Sequence, residues 1–416
     1  MTTPVMQDEP VIEQLQQFRT QIEQEFNAIL SWWSRHAVDE QYGGFYGSID
    51  HHNTVDILAP KGVVLNSRIL WTFSAAFNHT HQHEHLALAT RAYEYIVTHF
   101  VDDQMGGVYW TLDHAGHPFD TDKKILAQAF TLYAFCEYYK ATRRDTVIDR
   151  AIELYTLLER HGYDKENEGY RQAFDSQWNP LRNPETTATG GGDQKAMHTQ
   201  LHVLEAYSSL FRLWPDENLR RQIIRLVNNF LNHIIHPGTW HQVQHFNEQW
   251  RPDSTVVSFG HDIAASWLLA ESTPILQDPE LIIRVKKATI QMAYAAVRGL
   301  DVDGGMWYEH DGASNIWVKE KHWWPQAEAM VGFFHAWQLS DDQHFLQHSL
   351  NSWSFIREHI LDQELGEWKW GVLTEASGAD KTDMSWEDKA GLWKCPYHNG
   401  RACLELLKRL DPLTKK

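Results

Sequence analysis

The sequence predicts an all-α protein, an (α/α)6 barrel of six inner and six outer helices. Two observations lead to this fold class. A glycine–glycine–aromatic turn returns along the chain, and two helical stretches lie between successive copies of it. A fixed period of this size marks stacked supersecondary units rather than independent domains. We therefore expect one catalytic domain over residues 1–416, although the length alone would suggest two or three domains.

The turn motif recurs at steps of about 63 residues, and one step is about twice as long. A missing copy is therefore expected near Trp240, where the glycines have been lost. Glycine and aromatic clusters of this kind punctuate helical periodicity. The copies are Gly43-Gly44-Phe45-Tyr46, Gly106-Gly107-Val108-Tyr109, Gly169-Tyr170, Gly304-Gly305-Met306-Trp307 and Gly366-Glu367-Trp368.

Helical periodicity between the turns predicts twelve helices. The first helix of each pair is richer in Trp, His and small residues and should line the barrel, whereas the second is amphipathic with a charged face. The helices at 11–37 and 396–410 complete one another, which favours a closed ring over an open α-solenoid with polar caps. Inner helices are expected at 63–78, 125–141, 197–214, 262–272, 325–339 and 396–410, and outer helices at 11–37, 85–100, 146–160, 219–235, 280–297 and 345–360.

Composition limits the partners and the compartment. A formal charge of −18 without a basic run argues against nucleic acid or an anionic membrane as a partner. Cys136, Cys395 and Cys403 lack metal-ligand spacing, and residues 1–10 lack a secretory signal. We therefore expect a soluble, cytoplasmic protein, and the oligomeric state stays open. Nineteen tryptophans and twenty-five histidines suit a carbohydrate site.

The starts of the inner helices concentrate histidines. Because every long loop leads from an outer helix to the next inner one, these starts should share one rim of the barrel. A single histidine there would more often cap or pack, but several in register with an arginine predict an active site. The helix dipole disfavours a protonated imidazole in a first turn. The residues are Arg68, His198, His202, His261, His322 and His398.

Tryptophans accompany these histidines and would form either core or sugar-stacking walls. A metal site is a rival interpretation, because His198 and His202 have the i, i+4 spacing of a helical metal pair. No acidic residue lies between them and no carboxylate cluster accompanies them, so we expect no metal. The tryptophans are Trp71, Trp110, Trp323, Trp324 and Trp393.

Longer motifs closely resemble the cellobiose 2-epimerases of the N-acylglucosamine 2-epimerase superfamily over nearly the whole chain. These motifs are Ala59-Pro60-Lys61-Gly62, Leu65-Asn66-Ser67-Arg68-Ile69-Leu70-Trp71, Leu201-His202-Val203-Leu204-Glu205-Ala206-Tyr207, Ser258-Phe259-Gly260-His261-Asp262-Ile263, Lys321-His322-Trp323-Trp324-Pro325-Gln326-Ala327-Glu328 and Trp393-Lys394-Cys395-Pro396-Tyr397-His398-Asn399-Gly400-Arg401.

The resemblance implies a cofactor-free and metal-independent isomerase with a small carbohydrate substrate. It would interconvert glucose and mannose at the reducing end of cellobiose or a related β-1,4-disaccharide, or as free sugars. By motif position, His261 and His398 would be the acid/base pair. Arg68 and His202 would complete the catalytic set near the sugar oxygens, and the sugar-binding residues would be His198, His322, Trp323, Glu328 and Trp393.

Three positions depart from the resembling enzymes. This chain has His198 where they carry Asn, Ala264 where they carry Glu, and Leu126 where Tyr is common. Because the first two changes lie in motifs that shape the sugar site, the preference for a disaccharide or a monosaccharide stays open. The balance between epimerisation and isomerisation stays open for the same reason.

The chemistry of the residues leaves several functions to compare. Removing the proton at C2 of a ring-opened aldose creates an enediolate, whose charge Arg68 and helix N-termini would stabilise. Epimerisation needs two bases on opposite faces of the sugar, whereas a mannose–fructose isomerase returns the proton to C1 and needs only one shuttling base. A mannose 2-epimerase on the same scaffold is the other close alternative. A glycoside hydrolase would use paired carboxylates such as Asp262, Glu328 or Asp193. A non-catalytic sugar-binding protein is a further alternative, which Ala264 favours.

Overall fold

The protein forms a closed ring of helix pairs in the computed structural model, which describes residues 9–181, 195–373 and 387–414. Each inner helix packs against the next one around the ring, and α12 packs against α2 to close it. The outer helix α1 packs against α12. The inner helices are α2 (Val63–Thr80), α4 (Ile125–Thr142), α6 (Met197–Phe211), α8 (Phe259–Ser272), α10 (Trp323–Ser340) and α12 (Tyr397–Thr414). The outer helices are α1 (Glu9–His36), α3 (His83–Tyr95), α5 (Asp145–Leu157), α7 (Glu217–Asn229), α9 (Pro279–Ala296) and α11 (Gln343–Phe355).

With the π-helical turns included, the helix boundaries agree with the sequence prediction to within four residues, and two features were not predicted. Four outer helices continue for one π-helical turn, at 96–100, 158–162, 230–234 and 356–360. The helices α8 and α10 begin at Phe259 and Trp323, three and two residues earlier than predicted. His261 is therefore already inside the first turn of α8.

Short antiparallel strands join the helices at the mouth, the barrel end where the inner helices begin. The strand before an inner helix pairs with the strand that follows the next outer helix, as Lys61 pairs with Leu112. The sequence did not predict these strands, because two or three residues are too few to show an alternating pattern. They are β1 (Lys61–Gly62), β2 (Thr111–Leu112), β3 (Pro118–Asp120), β4 (Lys123–Lys124), β5 (Ala173–Phe174), β6 (Lys195–Ala196), β7 (His245–Phe246), β8 (Val256–Ser258), β9 (Glu309–Asp311), β10 (Ile316–Val318), β11 (Lys321–His322) and β12 (Gly371–Val372).

The first N–H of four inner helices donates to a carbonyl of such a loop strand or its neighbour. Val63 donates to Trp110 O at 3.1 Å, and Trp323 donates to Trp370 O at 2.8 Å. Helix N-termini leave backbone donors unsatisfied, and these inner helices use loop carbonyls where many helices use a capping side chain. The loops are therefore attached to the helix starts, which holds the mouth residues in register.

A buried lysine–carboxylate pair recurs at the mouth. Lys123 Nζ donates to Asp102 Oδ2 at 2.7 Å, and both side chains are buried. Asp102 also accepts from the backbone N–H groups of Gln104 and Met105, so one carboxylate shapes the turn and binds the next helix start. Other pairs of this kind are Lys61–Asp39, Lys195–Asp164, Lys321–Asp301, Lys389–Asp362 and Lys394–Glu367.

The fourth turn uses different chemistry, at the position where the sequence predicted a lost copy. Trp240 adopts the left-handed backbone (φ +63°) that glycine takes in other copies. His236 Nδ1 accepts from the N–H groups of Gly238 and Thr239, which replaces the aspartate. Asp262, at the helix position where α4, α6 and α10 have glutamine, accepts from the N–H of Gln242 and pairs with His241 Nδ1 at 2.6 Å. The missing copy is thus a substituted turn rather than a deletion.

The core lies between the inner and outer rings and continues across the α1–α12 junction. α1 contributes Phe18, Ile22, Phe26 and Trp33, all of them buried. No helix in the described part of the chain is long and apolar enough to cross a membrane.

Candidate active site

A cavity of about 360 Å³ opens at the mouth, among the first turns of the inner helices. We call it the mouth cavity. Its volume falls within the usual range of small-molecule sites. It is lined by Arg68, Leu126, His198, Leu201, His202, His261, Ala264, Leu268, Tyr308, His322, Trp323, Trp324, Trp370, Trp393, His398 and Arg401.

His398, in the first turn of α12, is held from behind by a carboxylate. Its Nδ1–H donates to Glu328 Oε1 at 2.7 Å. The same carboxylate accepts from Arg401 Nη2 at 2.6 Å and, through Oε2, from Trp267 Nε1 at 2.9 Å. Because Nδ1 is occupied and the ring lines the cavity, Nε2 is the nitrogen of His398 that is available to a substrate.

His202 has the same support on α6. Its Nδ1–H donates to Glu205 Oε2 at 3.0 Å, one helical turn further on. Glu205 Oε1 accepts from Tyr397 Oη at 2.7 Å and from Arg401 Nη1. Arg401 therefore bridges the carboxylates that orient two cavity histidines, one on α6 and one on α12.

His261 has a hydroxyl rather than a carboxylate behind it. Its Nδ1 lies 3.0 Å from Ser258 Oγ. The indole of Trp324 contacts both His261 and His398, with ring-centre distances of 4.7 and 5.7 Å. His198 lies on the other side of His261, with a ring-centre distance of 6.5 Å. The two predicted acid/base histidines thus share one aromatic neighbour although α8 and α12 are far apart in sequence.

Burial keeps the cavity imidazoles neutral at pH 7. It lowers the pKa of His198 to about 3 and that of His398 to about 4, although the hydrogen bond to Glu328 opposes the shift at His398. The pKa of His261 is lowered well below its usual value by burial and then by the neighbouring histidines. A neutral imidazole is the form that can accept a proton.

The supporting carboxylates stay ionised. Burial alone would raise the pKa of Glu205 and Glu328, but the positive charge of Arg401 and the histidine hydrogen bonds reverse this effect. The pKa of each is lowered to about 2. A fixed negative charge behind an imidazole stabilises its protonated form when a proton arrives.

Arg68 provides the positive charge at the cavity surface. Its guanidinium packs 4.2 Å from the ring centre of Phe130, and Nη1 donates to Trp393 O at 3.2 Å. This carbonyl belongs to the segment just before α12, so Arg68 links α2 to the part of the mouth that carries His398.

Aromatic side chains form the remaining wall. Trp323 packs against Trp370 with a ring-centre distance of 4.5 Å, and Tyr308 stacks on His322 at 4.1 Å. The Nε2–H of His322 donates to Glu320 at 2.8 Å. Trp393 is the most open member, with 43% of its surface exposed, so its face is available at the outer edge of the cavity.

Eight of the nine site residues expected from the sequence line the mouth cavity, and Glu328 does not. We predicted Glu328 as a sugar-binding residue, but it is buried behind His398 with both oxygens engaged. Its carboxylate is placed to orient His398, and its contact with a sugar stays a prediction. Trp71 also lies elsewhere: it stacks on Tyr133 further along the barrel and does not line this cavity.

The carboxylates considered for glycoside hydrolysis are not at the cavity surface. Asp262 is fully buried and bonded to His241 and to the backbone of Gln242. Asp193 lies outside the described residues. No carboxylate among the described residues lines the mouth cavity, so the pair that hydrolysis requires is not formed there.

Sequence reasoning missed four contributors to the site. Glu205 and Arg401 belong to recognised motifs, and the His202–Glu205 spacing of three residues on one helix face was an available signal. Tyr308 and Trp370 follow the aromatic residue of the fifth and sixth turns by one and two positions, where a periodic aromatic could have been noticed. Within the described ranges, no group of three or more His, Cys, Asp or Glu side chains could hold a metal ion.

A histidine-lined cavity at the mouth of a closed helix ring defines a carbohydrate-active enzyme of the (α/α)6-barrel class. The chain belongs to the N-acylglucosamine 2-epimerase (GlcNAc 2-epimerase) family, whose model matches residues 21–394. The resemblance seen in the sequence is thereby confirmed, and the protein is a carbohydrate epimerase, an isomerase.

Individual relatives agree with this assignment. The chain is 40% identical to a cellobiose 2-epimerase of Bacteroides fragilis over 91% of this chain and 95% of that one. It is 34% identical to a cellobiose 2-epimerase of Dictyoglomus turgidum, over 92% and 96% of the two chains. The solved structure of cellobiose 2-epimerase from Bacillus thermoamylovorans superposes with a TM-score of 0.88 at 34% identity, over 94% of this chain and 99% of that one.

Proposed function

We propose that the protein interconverts glucose and mannose at the reducing end of cellobiose or a related β-1,4-linked disaccharide. The observation that carries the proposal is the pair His261 and His398. Two imidazoles with occupied Nδ1 atoms line one cavity and contact one indole, Trp324. The similarity to enzymes named cellobiose 2-epimerases supports the choice of substrate.

The reaction moves one proton off C2 and one proton back. In the ring-opened sugar, the C2 hydrogen is acidified by the neighbouring carbonyl, and Nε2 of His261 takes it as a proton. The electron pair of the C–H bond forms the enediolate, whose negative charge is stabilised by Arg68. His202 donates its Nδ1–H to Glu205, so its Nε2 is available to accept a hydrogen bond from a sugar hydroxyl. His398, which is neutral before the reaction, takes up a proton from solvent as the anionic enediolate forms beside it. Its Nε2–H then delivers this proton to the opposite face of C2, which inverts the centre, and His261 releases the proton from C2 to solvent.

The two histidines differ in a way that suits these roles. Glu328 places a full negative charge against Nδ1 of His398, whereas His261 has only the hydroxyl of Ser258. His398 is therefore the better holder of a proton, and its pKa, which burial lowers in the free enzyme, rises when the anionic enediolate forms beside it. His261 is the better neutral base. The reverse reaction uses the same pair with the roles exchanged.

The aromatic wall would bind the sugar rings. Trp323 and Trp370 offer a buried surface near the histidines, and exposed Trp393 offers a face at the cavity edge. Indole faces stack on the C–H surfaces of sugars, so Trp393 is placed to contact the second sugar of a disaccharide. The polar side chains His198 and His322 would bond hydroxyl groups.

A mannose–fructose isomerase is the second candidate. The observation that favours it is the asymmetry of the pair, since only His398 has a carboxylate partner. A single well-supported histidine could return the proton to C1 and give the ketose. The same scaffold would then act on free mannose.

Proton exchange in deuterium oxide tests both candidates. The purified protein is incubated with cellobiose, mannose or glucose in excess chelator, and proton NMR follows the C2 signal and the products. We expect loss of the C2 proton signal together with formation of the 2-epimer. Ketose alone would select the isomerase. Free glucose formed by cleavage of cellobiose, or activity that only added zinc or manganese restores, would contradict the proposal.

A further inference from the structure

A second cavity of about 290 Å³ lies at the opposite end of the barrel. We call it the closed-end cavity. It is enclosed mainly by the C-terminal halves of α4, α6, α8 and α12. Leu268 and Arg401 line both cavities, so the partition between them is a single layer of side chains. Its uncharged polar and aromatic lining residues are Trp71, Tyr133, Ser208, Ser209, Trp267 and Ser272.

The charges around the closed-end cavity balance. Lys140 Nζ donates to Glu137 at 2.7 Å, and Lys408 Nζ donates to Glu405 at 2.8 Å. Four carboxylates and four cationic side chains line the cavity, so its formal charge is zero. An ionic ligand would have to break an existing pair to be neutralised, which disfavours it. The eight are Glu137, Glu205, Glu271, Glu405, Lys140, Arg212, Arg401 and Lys408.

Buried polar atoms of the lining residues have no protein partner. They are Ser208 Oγ, Trp71 Nε1 and Arg401 Nε, and Ser208 is only 2% exposed. Buried polar groups in proteins are nearly always hydrogen-bonded, so unpartnered atoms beside a cavity indicate a ligand or water. An indole N–H and a guanidinium N–H only donate, and a hydroxyl can donate as well, so these three atoms require a partner that offers several hydrogen-bond acceptors.

Aromatic surface adds a second requirement. Trp71 stacks on Tyr133 with an interplanar angle of 16° and a ring-centre distance of 5.4 Å. Trp267 lines the same space, so C–H groups of a ligand can pack there while its hydroxyls reach the serines. A net charge of zero, unpartnered donors that need uncharged acceptors, and aromatic surface together fit a polyol, whose hydroxyl groups accept hydrogen bonds and whose C–H groups pack on aromatic rings.

We propose that the closed-end cavity binds a neutral polyhydroxylated molecule of about the size of a monosaccharide. This site is separate from the mouth cavity and does not rest on the proposed function. Its occupant would touch the side of Arg401 that faces away from the histidines.

Binding of myo-inositol tests the proposal. This cyclic polyol has no carbonyl group, so it cannot undergo the C2 chemistry of the mouth cavity. Ligand-observed NMR with the full-length protein measures its dissociation constant, and we expect saturable binding at or below tens of millimolar. Absence of binding in that range would mean that the cavity holds water only and would overturn the proposal.

Variants locate the binding. Ser208→Leu fills the cavity and should abolish binding. Ser208→Ala removes only the hydroxyl, which has no protein partner, so it should fold normally and weaken binding about three- to tenfold. The control Ala264→Leu fills the mouth cavity and should leave the affinity unchanged. An affinity that survives both Ser208 variants, or that disappears in Ala264→Leu, would place the polyol in the mouth cavity and refute the assignment.

Discussion

At the scale of single residues, Arg401 organises the site without being its acid or base. Its two terminal nitrogens bind Glu205 and Glu328, and these carboxylates hold His202 and His398. One buried guanidinium thus sets the charge and direction of groups from α6, α10 and α12. An arginine is suited to bridging two carboxylates because its guanidinium N–H donors point in different directions within one fixed plane.

Replacing His398 should remove catalysis and leave the fold. In His398→Ala, Glu328 keeps its bonds to Arg401 and Trp267, so no buried charge is left alone. We expect turnover to fall by at least about 10²-fold, the lower range for loss of a general acid/base group. Steady-state kinetics and thermal unfolding measure the two effects. His344→Ala, at an exposed histidine, is the matched control, and near-normal turnover in His398→Ala would show that the proton carrier is misassigned.

Introducing a carboxylate beside His261 should change the pH profile. Position 264 lies three residues after His261 on α8, and both line the mouth cavity. A glutamate there would raise the pKa of His261, which burial and the neighbouring histidines now lower. In Ala264→Glu, the acidic limb of kcat/KM should therefore move to higher pH, and the ratio of epimer to ketose should change.

The control for this prediction is Ala264→Gln, which adds similar volume without charge. The acidic limb of its kcat/KM profile should lie at the same pH as that of the wild type. If Ala264→Glu folds correctly and its limb is also unmoved, then a group other than His261 sets the acidic limb, and the two-base assignment must be redrawn.

At the scale of elements, the repeated lysine–carboxylate pairs explain why all loops meet at one rim in register. In most of these pairs, a residue at an inner helix start binds the turn that precedes it. The glutamines one turn into the helices bind the backbone of a turn as well, as Gln128 does with Val108. At the mouth, polar contacts therefore connect the loops to the helix starts, above the apolar core that lies between the two rings of helices.

Breaking one pair should destabilise the whole barrel. Lys123→Met leaves the carboxylate of Asp102 buried without its cation, and such losses typically lower the free energy of unfolding by about 3–5 kcal/mol. Urea unfolding measures the change. Lys165→Met, at an exposed lysine, should lie within about 0.5 kcal/mol of wild type. Equal effects of the two variants would show that the buried pair adds nothing to stability.

At the scale of the whole molecule, α1 closes the ring through polar contacts with the last turn. Trp33 Nε1 donates to Glu367 Oε2 at 2.8 Å, and Trp368 Nε1 donates to Glu25 Oε1 at 2.8 Å. Burial, opposed by the Trp368 hydrogen bond and aided by the charge of Glu367, raises the pKa of Glu25 to about 7. The closure therefore contains a carboxyl group that titrates near neutrality.

Glu25 should make stability fall as the pH rises. The folded carboxyl keeps its proton up to about pH 7, whereas the unfolded one releases it near 4.5. Its stabilising contribution is complete below the unfolded pKa and is lost as the pH passes the folded one. Because the side chain is partly exposed, we expect Glu25→Gln to be about 1–3 kcal/mol more stable than wild type at pH 8.

Near pH 4 the Glu25→Gln difference should vanish, because both side chains are then neutral. Thermal unfolding across this pH range measures the effect, and Glu13→Gln, at an exposed position of α1, should show no comparable trend. A constant difference at all pH values would mean that Glu25 is already ionised in the folded protein.

The sequence by itself determined the repeat, the twelve helices and the rim on which the histidines lie. These features are predictable because their sequence patterns are local. Helical periodicity is visible over a few turns, and two residues such as Gly106-Gly107 are enough to indicate a turn. For this reason the inner helix starts at 63, 125 and 197 were predicted to the residue, and His261, His398 and Arg68 were assigned to one cavity. The single domain over residues 1–416 and the roles of the site residues stay predictions.

Only the tertiary structure decided which side chains face the substrate space and which stand behind them. The carboxylate of Glu328, expected at the sugar, lies behind His398 and does not line the mouth cavity, because successive helical residues point about 100° apart. Arg401 finds Glu205 across 196 positions, and no window of sequence contains that pairing. The closed-end cavity could not be predicted from the sequence for the same reason. Its walls come from helix ends that meet only when the ring closes. Local periodicity in the sequence determines where the helices lie. Which side chains contact one another depends on how helices that are distant in sequence pack together.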